Sequence, residues 1–300
     1  MLQQIQLNGK TKLETTLDRI RMFEPEEGYY LAFSGGKDSQ CIYELAKMAG
    51  VKFDAHYSVT SVDPPELVQF IKKNYPDVIF EIPHDKNGKP VTMWTLIREN
   101  AMPPTRIIRY CCRVLKESSG KGRVTMTGVR WAESTNRKRN QGLVTIMPTG
   151  KKKQNETEDI GSNLTRTDRG GAVLNEDNDE TRRSVEICYR TNKTLVNPII
   201  DWDDSEVWEF LNDVAQVPHC CLYDEGFKRL GCIGCPMQGA KRMIRDFDRW
   251  PKYKEAYIRS LQKMNDIHPF QLSDPEKYMP KESNSKYKEG EAIFNWWIDN

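Results

Sequence analysis

The stretch that decides the fold is YYLAFSGGKDS at residues 29–39. Its first part, Tyr29–Phe33, is an unbroken apolar run, which is typical of a strand buried on both faces of a parallel sheet. The glycine loop Ser34–Ser39 follows at once, and a helical pattern then continues to Gly50. The sequence therefore predicts a strand, a glycine loop and a helix in direct succession.

The same alternation of strands and helices continues along the chain. Further strands are predicted over residues 53–58, 78–82 and 124–127, and helices over residues 12–23, 64–75, 93–100, 239–249 and 252–265. Repeated strand–helix units form parallel sheets with helices on both faces. We therefore expect an α/β protein with a doubly wound, mostly parallel sheet, a Rossmann-like core around the glycine loop, and a helical, cysteine-rich C-terminal portion.

Composition and charge exclude several classes of protein. The 300 residues are 38% hydrophobic and 29% charged, the mean hydropathy is -0.71, and no apolar run approaches the length of a membrane span. The first residues lack the apolar stretch of a secretory signal. These features predict a cytoplasmic protein with no membrane partner. The net charge of +2 neither requires nor excludes a nucleic-acid partner.

The glycine loop has the composition of a phosphate-binding loop. Two successive glycines let backbone N–H groups converge on an anion, and the helix behind them adds its positive end. We expect Lys37 to neutralise a phosphate or pyrophosphate, and Asp38 to hold Mg²⁺ or orient a nucleophile. The alternative is an ordinary turn capped by serine and aspartate. The predicted binding residues are Ser34, Gly35, Gly36, Lys37, Asp38 and Ser39, with Lys37 and Asp38 as the catalytic residues.

The eight cysteines are unevenly placed, with vicinal pairs at 111–112 and 220–221 and a C-x-x-C at 232–235. Because disulfides are rarely structural in the cytoplasm, this clustering indicates metal binding or redox chemistry, through either Zn²⁺ or a [4Fe–4S] cluster. Cys41 is expected to pack in the core, whereas the roles of Cys188 and Cys221 stay open. Five candidates compete for four ligand positions, namely Cys111, Cys112, Cys220, Cys232 and Cys235.

A third group of candidate residues follows the strand at 124–127. The segment Gly128–Ser134 stands at the carboxyl end of that strand, where open α/β sheets bind ligands. Arg130 and Arg137 suit bidentate contacts with phosphate or sulfate, although a surface turn with salt bridges is the alternative. The predicted nucleotide-binding residues therefore also include Asp63, Arg130, Glu133 and Arg137, with Asp63 near the sugar or base.

Three segments depart from the strand–helix pattern. Residues 151–183 hold 15 charged residues and five apolar ones, which predicts a mobile, solvated insertion or lid. Basic runs at 137–139 and 151–153 are either a nucleic-acid footprint or plain solvated surface. The segment after Pro269 is polar and is predicted to lie on the surface until the aromatic residues at 294–297.

These observations divide the chain into five consecutive segments. They are a helical lead-in at 1–27, a nucleotide-binding α/β core with the glycine loop at 28–147, a charged mobile insertion at 148–185, a cysteine-rich helical part at 186–268 that completes the core and the metal site, and a polar tail at 269–300.

Five motifs together point to a known family. They are SGGKDS at 34–39, RYCC followed by KE within 109–117, GVRWAES at 128–134, NPIIDW at 197–202 and LGCIGCP at 230–236. With these motifs the chain resembles the phosphoadenosine phosphosulfate reductase family, in particular its phage and mobile-element branch, within the PP-loop superfamily of adenine nucleotide α-hydrolases. The resemblance extends over residues 28–260.

The resemblance implies both a nucleotide and a cluster. Members of the superfamily bind ATP or adenylyl sulfates and commonly release pyrophosphate. In the adenylyl sulfate reductases a vicinal cysteine pair and a distant C-x-x-C hold one [4Fe–4S] cluster, which here maps onto Cys111, Cys112, Cys232 and Cys235. Cys220 with only one member of the vicinal pair is the alternative ligand set, and Zn²⁺ is the alternative metal.

The motifs are less specific for the reaction than for the family. The related reductases use a catalytic cysteine near the C-terminus, whereas this sequence has no cysteine after Cys235. The intact glycine loop is more similar to members that cleave ATP between the α and β phosphates. We therefore expect ATP-dependent, pyrophosphate-releasing sulfur transfer to an adenylated acceptor, with nucleic acid implied as acceptor and a cysteine desulfurase as a type of sulfur donor. The alternatives are an adenylyl sulfate or phosphoadenylyl sulfate reductase served by a thioredoxin-type reductant, and a non-catalytic nucleotide-binding iron–sulfur module.

Overall fold

A computed structural model describes residues 2, 4–6, 9–117, 119–120, 122–147, 165–166, 172–175, 193–280 and 286–299. The chain forms two compact units, each assembled from three stretches of sequence. The sheet unit comprises Met1–Tyr57, Gln69–Phe80 and Gly120–Arg229, and the helical unit comprises Ser58–Val68, Glu81–Ser119 and Leu230–Asn300. The five segments expected from the sequence divide the chain into consecutive stretches, unlike these two units, and that division stays a prediction.

One mixed sheet organises the sheet unit. Its strands among the described residues are β1 Tyr29–Ala32, β2 Phe53–Ser58, β3 Ile79–Glu81, β4 Thr125–Met126, β5 Val144–Met147, β6 Thr165–Arg166, β7 Ala172–Leu174 and β8 Lys193–Val196, in the order β3-β2-β1-β4-β8-β5-β7-β6. β1 runs parallel to β2 and β4, and β4 runs parallel to β8. β5 pairs antiparallel with β8 and β7, and β6 pairs antiparallel with β7. The predicted α/β fold class is confirmed, and the antiparallel half of the sheet is additional to it.

Helices flank the strands and build the second unit. Among the described residues they are α1 Lys12–Met22, α2 Lys37–Ala49, α3 Pro65–Asn74, α4 Met93–Glu99, α5 Tyr110–Leu115, α6 Thr135–Asn140, α7 Asp204–Glu209, α8 Ala240–Arg249, α9 Pro251–Ile267, α10 Pro275–Tyr278 and α11 Lys288–Asp299. α7 continues into a π turn over Phe210–Val214. The helices predicted from sequence are confirmed, whereas α5, α6, α10 and α11 were not predicted.

The apolar run at the start of the sheet is buried as its composition predicts. In β1, Tyr29 and Leu31 are fully buried, and the Tyr29 hydroxyl donates a hydrogen bond to the carbonyl oxygen of Ile20 at 2.8 Å. In α2, the side chain of Cys41 is also fully buried, so its predicted place in the core is confirmed. Strand β1 is thus the centre of the sheet unit, with a parallel neighbour on each side.

The strand order places a topological switch point beside β1. From β1 the chain moves outward through β2 to β3, and it then returns to the opposite side of β1 to form β4. At such a point the loops after the two neighbouring strands diverge and leave a crevice at their carboxyl ends. The glycine loop follows β1 and the segment Gly128–Ser134 follows β4, so both predicted binding segments lie at the switch point.

The charged insertion contributes two short strands to the sheet. β6 and β7 lie within residues 148–185. β7 pairs with β5, and its residues Val173 and Leu174 are buried. These two strands were not predicted, and a short apolar run is enough to extend an antiparallel edge. The expectation of a mobile insertion stays a prediction. The other predicted features of the insertion, including its use as a lid, lie outside the described residues.

The end of the chain is a helix with a buried face, which includes aromatic residues of the 294–297 run and begins several residues before it. Trp297 of α11 is buried, and its indole N–H donates to the carbonyl oxygen of Pro104 at 2.6 Å. The ring of Trp297 lies 5.0 Å from that of Tyr257, and the ring of Phe294 lies 4.9 Å from that of Phe247. The apolar spacing of α11 completes the core of the helical unit. Among the described residues, no helix is both long and apolar enough to cross a bilayer.

The packing of α11 predicts that Trp297→Ala destabilises the helical unit. We expect a loss of about 3–5 kcal/mol in the free energy of unfolding, because the substitution leaves a cavity and an unpaired carbonyl. Urea unfolding followed by circular dichroism measures this loss. Trp296→Ala is the matched control, since Trp296 is only half-buried beside Phe270. Equal losses for the two variants would contradict the assigned packing.

Candidate functional site

The glycine loop joins β1 to α2 through a tight turn. Gly35 adopts a φ of +72°, in the left-handed region that glycine enters at no steric cost. Gly36 is the N-cap of α2 and offers no side chain to cap the helix. Since the first amides of a helix have no partners within it, the start of α2 is suited to an external anion.

Hydroxyl groups close the loop around this helix start. Ser34 Oγ donates to Ser39 Oγ at 3.2 Å, and Ser39 Oγ donates to the carbonyl oxygen of Gly36 at 2.8 Å. The Tyr223 hydroxyl accepts the backbone N–H of Lys37 at 2.8 Å. Burial raises the pKa of Tyr223, so its phenol keeps the proton as a hydrogen-bond donor.

Two buried cations and two carboxylates form an ion-pair group beside the loop. Arg130 is only 1% exposed, and its Nε donates to Asp38 Oδ1 at 2.8 Å while a terminal nitrogen contacts Asp204. Lys37 Nζ lies 3.2 Å from a carboxylate oxygen of Asp38 and 3.2 Å from one of Asp204. Partial burial opposes ionisation of Asp204, but the hydrogen bond from Arg130 and the charge of Lys37 lower its pKa overall.

A second ion-pair group lies around Glu133. Arg229 Nη2 is 2.8 Å from Glu133 Oε1, and Arg137 contacts the other carboxylate oxygen. The backbone N–H of Arg130 donates to Glu133 Oε2 at 3.2 Å. Burial, and then the nearby charge of Arg229, lower the pKa of Arg137 to about 10. Both arginines remain charged at neutral pH and stand close together.

Positive charge exceeds negative charge in these two groups. The cations are Lys37, Arg130, Arg137 and Arg229, and the carboxylates are Asp38, Asp204 and Glu133. The group as a whole carries one uncompensated positive charge in partly buried surroundings, where electrostatic attraction is stronger than in water. The site therefore favours an anion at the start of α2.

Gly128 allows the segment after β4 to reach the start of α2. A Cβ at Gly128 would lie 2.7 Å from the backbone oxygen of Asp38 and 2.9 Å from its carbonyl carbon, which is closer than side-chain and backbone atoms approach. Only a glycine lets the two backbones meet at this distance. The contact sets the position of Arg130 relative to the glycine loop.

The NPIIDW motif at 197–202 supports the turn after β4. The backbone N–H of Trp131 donates to the carbonyl oxygen of Ile200 at 2.8 Å. Trp202 is fully buried, and its indole N–H donates to Thr16 Oγ1 at 3.1 Å. This motif therefore acts as a scaffold for the arginine-bearing turn.

The helical unit gathers four of the five candidate metal ligands. Cys111 and Cys112 stand at the start of α5, and the hydrogen bond between their thiols raises the pKa of Cys111 and lowers that of Cys112. Burial, followed by the charge of Cys232, raises the pKa of Cys235 to about 11. Charge interactions also couple Cys111 to Cys232 and Cys235, so the two cysteine motifs are close in space.

The surroundings of these thiols suit negatively charged sulfur. Arg109 Nε is buried without a hydrogen-bond partner, and the guanidinium lowers the pKa of Cys112. Attraction to Cys232 raises the pKa of Lys116. Four thiols with two neighbouring cations fit the chemistry of a thiolate-bound iron–sulfur cluster. Within the described part of the chain, no group of three or more His, Cys, Asp or Glu side chains could hold a single metal ion.

The C-x-x-C turn itself requires a glycine. Gly234 has a φ of +69°, and a Cβ there would lie 2.3 Å from the ring of Phe247. Its backbone N–H donates to Asp246 Oδ2 at 3.0 Å. These contacts fix the peptide between Cys232 and Cys235.

Cys220 and Asp63 are the remaining predicted site residues that the structure describes. Cys220 belongs to the sheet unit, where it is fully buried. Asp63 belongs to the helical unit, where its carboxylate accepts the backbone N–H of Thr60 at 2.9 Å. Cys188 and the basic run at 151–153 lie outside the described residues. The roles assigned to Asp63 and to the cysteines stay predictions.

Sequence reasoning missed three residues of the site, namely Tyr223, Asp204 and Arg229. The run DWDDS at 201–205 predicts only a helix N-cap, and Asp203 fills that role while the next residue reaches Arg130. The other two stand beside the cysteine motifs, and no spacing in the sequence relates them to the glycine loop. Proximity to those motifs is the single signal that could have drawn attention to them.

Comparison with known proteins adds to this geometry. The sequence matches the phosphoadenosine phosphosulfate reductase domain over residues 28–238. The chain belongs to the phosphoadenosine phosphosulfate reductase family. The match includes the glycine loop, the arginine-bearing turn and both cysteine motifs, and nucleotide binding is consistent with this family.

Two curated proteins are similar in sequence to parts of this chain. An uncharacterized protein of Methanocaldococcus jannaschii is 25% identical over 244 residues, which are 77% of this chain and 47% of that protein. The adenosine 5'-phosphosulfate reductase of Oceanobacillus iheyensis is 31% identical over 72 residues, which are 24% of this chain and 26% of that protein. The chain therefore spans about half or less of the length of these curated relatives.

Two solved structures are also similar to the chain. The phosphoadenylyl-sulfate reductase of Candida auris, in a phosphate complex, has a TM-score of 0.40 and 12% identity over 73% of this chain and 88% of that chain. The FMN adenylyltransferase of Candida glabrata has a TM-score of 0.37 and 15% identity over 74% of this chain and 61% of that chain.

The close approach at Gly128 predicts that Gly128→Ala abolishes phosphate binding at the loop. The added methyl group must push the arginine-bearing turn away from α2, which separates Arg130 from Asp38. We expect ATP affinity, measured by isothermal titration calorimetry, to fall at least tenfold while the far-ultraviolet circular dichroism stays unchanged. Gly231→Ala is the control, because nothing lies within 4 Å of a Cβ at that position. Full ATP affinity in the Gly128 variant would rule out this assembly as the binding site.

Proposed function

We propose that the protein binds Mg²⁺ and ATP at the glycine loop, adenylates an acceptor with release of pyrophosphate, and then transfers sulfur to it. The observation that carries this proposal is the excess of positive charge around the start of α2 at the switch point of the sheet. A triphosphate is the kind of anion that such a loop and its buried cations are suited to bind.

In the first step an oxygen atom of the acceptor attacks the α-phosphorus atom of ATP. The bond from the α-phosphorus to the bridging oxygen breaks, and pyrophosphate leaves with the electron pair. Lys37 and Arg130 would neutralise the negative charge that accumulates on the leaving group. Because both cations are already oriented by Asp38 and Asp204, little reorganisation is needed during the reaction.

Two further groups of the site would assist this step. Mg²⁺ is commonly held by one or two carboxylates together with substrate phosphates, and Asp38 and Asp204 are the carboxylates that would hold it. Tyr223 keeps its phenolic proton and contacts the first amide of α2, so it would donate a hydrogen bond to a phosphate oxygen. The protonated phenol adds a donor without adding charge.

In the second step a sulfur nucleophile at the oxidation level of hydrosulfide attacks the carbon atom that bears the adenylated oxygen. A carbon–sulfur bond forms, the carbon–oxygen bond breaks, and AMP leaves with the electron pair. A sulfur donor protein such as a cysteine desulfurase would supply the sulfur as a persulfide, and a thiol reductant would reduce it by two electrons to the hydrosulfide level and leave as a disulfide. Bound by Cys111, Cys112, Cys232 and Cys235, a [4Fe–4S] cluster would supply one-electron transfer chemistry for that reduction.

A reductase reaction is the second candidate. It is favoured by the match to the reductase domain and by the similarity to the adenosine 5'-phosphosulfate reductase of Oceanobacillus iheyensis. Such a reaction would release sulfite and use electrons from a thioredoxin-type reductant. Within this chain its nucleophile would have to be Cys235 or an earlier cysteine. Sulfite release from adenylyl sulfate, without pyrophosphate release from ATP, would favour the reductase over sulfur transfer.

The first step predicts that Lys37→Ala suppresses pyrophosphate release. We expect the rate with ATP and an RNA or DNA acceptor pool to fall about 100-fold or more, because one oriented cation is removed from the leaving group. A coupled pyrophosphatase assay under anaerobic conditions measures this rate. Lys47→Ala, near the other end of the same helix, is the matched control and should keep the full rate. Unchanged turnover in the Lys37 variant would refute the assignment.

The cysteine set predicts which variants lose iron. After anaerobic reconstitution with iron and sulfide, we expect the wild type to be brown and serine variants of Cys111, Cys112, Cys232 and Cys235 to lose colour and iron. Visible absorption and iron analysis measure both. Cys220→Ser and Cys221→Ser are the controls, because these cysteines lie in the other unit. Zinc in the wild type, or loss of iron from Cys220→Ser, would contradict the proposed ligand set.

A further inference from the structure

A cavity lies entirely within the helical unit. It has a volume of about 490 Å³ and is lined by Trp94, Arg98, Ala256, Arg259, Ser260, Lys263 and Tyr287. The lining comes from α4, α9 and the turn before α11. None of these residues belongs to the glycine loop, to the arginine-bearing turn or to the cysteine set, so the cavity is built from residues that have no role in the two reaction steps proposed above.

The lining combines three cations with two aromatic rings and no carboxylate. Arg98, Arg259 and Lys263 form no ion pair with any residue in the described part of the chain. Arg98 Nε donates to the carbonyl oxygen of Trp94 at 3.3 Å, which orients its guanidinium along α4. Unpaired cations at a cavity attract anions, and the adjacent rings offer flat apolar surfaces.

The floor of the cavity is rigid on the side of Trp94. Ser260 Oγ donates to the carbonyl oxygen of Trp94 at 3.2 Å, and the ring of Trp94 meets the ring of Tyr257 at 5.1 Å. Tyr257 is buried and donates to the carbonyl oxygen of Ile233 at 3.1 Å. One aromatic wall is therefore fixed by the core, and a ligand would not have to order it on binding.

A nucleotide is the ligand class that matches both features. Its base is a planar ring that stacks on aromatic side chains, and its phosphate pairs with arginine and lysine. The volume of the cavity lies within the usual range of small-molecule sites and accommodates one nucleotide. Apolar ligands are disfavoured by the three cations, and simple anions make no use of the rings.

The charge outside the cavity favours a nucleotide within a strand over a free one. On α8 and α9 all eight basic residues are exposed, whereas only three of the four acidic residues are exposed. The basic residues are Lys241, Arg242, Arg245, Arg249, Lys252, Lys254, Arg259 and Lys263. Lys252, Arg259 and Lys263 follow the helical spacing of one face of α9, which continues the positive surface beyond the cavity. A row of cations longer than one nucleotide matches the repeating phosphates of a polyanion.

We propose that this cavity binds one nucleotide of a single-stranded nucleic acid, with the base against Trp94 and Tyr287 and the backbone phosphates on Arg98, Arg259 and Lys263. The bases of a duplex are stacked on each other and cannot enter, so a single strand is required. This inference rests on the proposed function in one respect, namely that the bound strand would be the acceptor of the sulfur transfer. The binding itself needs neither ATP nor a cluster.

The test uses the whole chain without ATP and follows fluorescence anisotropy of labelled 12-residue oligo(dT) and oligo(U). We expect at least one strand to bind, with an affinity that falls as salt rises. Lys263→Glu and Arg259→Glu should each weaken binding about tenfold and flatten the salt dependence. Lys73→Glu, which makes the same charge change in the sheet unit, is the matched control and should bind like the wild type.

A second pair of variants separates stacking from charge. Tyr287→Leu should weaken binding about 5- to 100-fold, since one base–aromatic stack is worth about 1–3 kcal/mol. Tyr287→Phe keeps the ring and should retain the affinity of the wild type. Equal weakening by Lys73→Glu and Lys263→Glu, equal binding of a duplex, or binding of free AMP but of neither strand would overturn the proposal.

The same assay distinguishes the two proposals from each other. Lys37→Ala should bind the strand like the wild type, because Lys37 belongs to the sheet unit and to the ATP site. If strands bind but no pyrophosphate is released, the proposed sulfur transfer fails and the nucleic-acid site stands. If pyrophosphate is released but strands do not bind, this inference fails alone.

Discussion

A buried guanidinium ties together the starts of two helices, and the candidate site depends on it. Arg130 contacts Asp38, in the first turn of α2, and Asp204, the first residue of α7. Carboxylates near helix N-termini are stabilised by the helix dipole, and the loss of one partner from a buried ion pair costs about 3–5 kcal/mol. The geometry of the glycine loop is therefore determined by a residue almost a hundred positions away, which enters through the close contact at Gly128.

The two units use positive charge in different ways. In the sheet unit the cations are paired and largely buried, so they are oriented before a ligand arrives and lose little strength to salt. In the helical unit the cations of the cavity are unpaired, and two of the three are exposed, which suits attraction at longer range and makes binding sensitive to ionic strength. The first arrangement is suited to chemistry on a bound anion, and the second is suited to its capture.

Local patterns in the sequence predicted the parts of the fold that local physics determines. The apolar run, the glycine loop and the start of the following helix are each formed by neighbouring residues. β1, α2 and the phosphate-loop composition of the segment between them could therefore be predicted from the sequence. Tyr223, Asp204 and Arg229 could not, because each acts through a contact across many residues of chain and has an ordinary local role. The antiparallel strands β5 and β7 were not predicted for the same reason, because nothing in the sequence of either segment indicates that the two pair with each other.

The interleaving of the two units has a consequence for biosynthesis. Cys112 and Cys232 are 120 positions apart in the sequence, yet they serve one unit whose last stretch begins at Leu230. At ribosomal rates of about 5–20 residues per second, the vicinal thiols wait for about 6 to 24 s before the second cysteine motif is made. During that interval the vicinal thiols of the nascent chain have no partners from the second motif, so the two motifs can meet only after synthesis has passed Cys235.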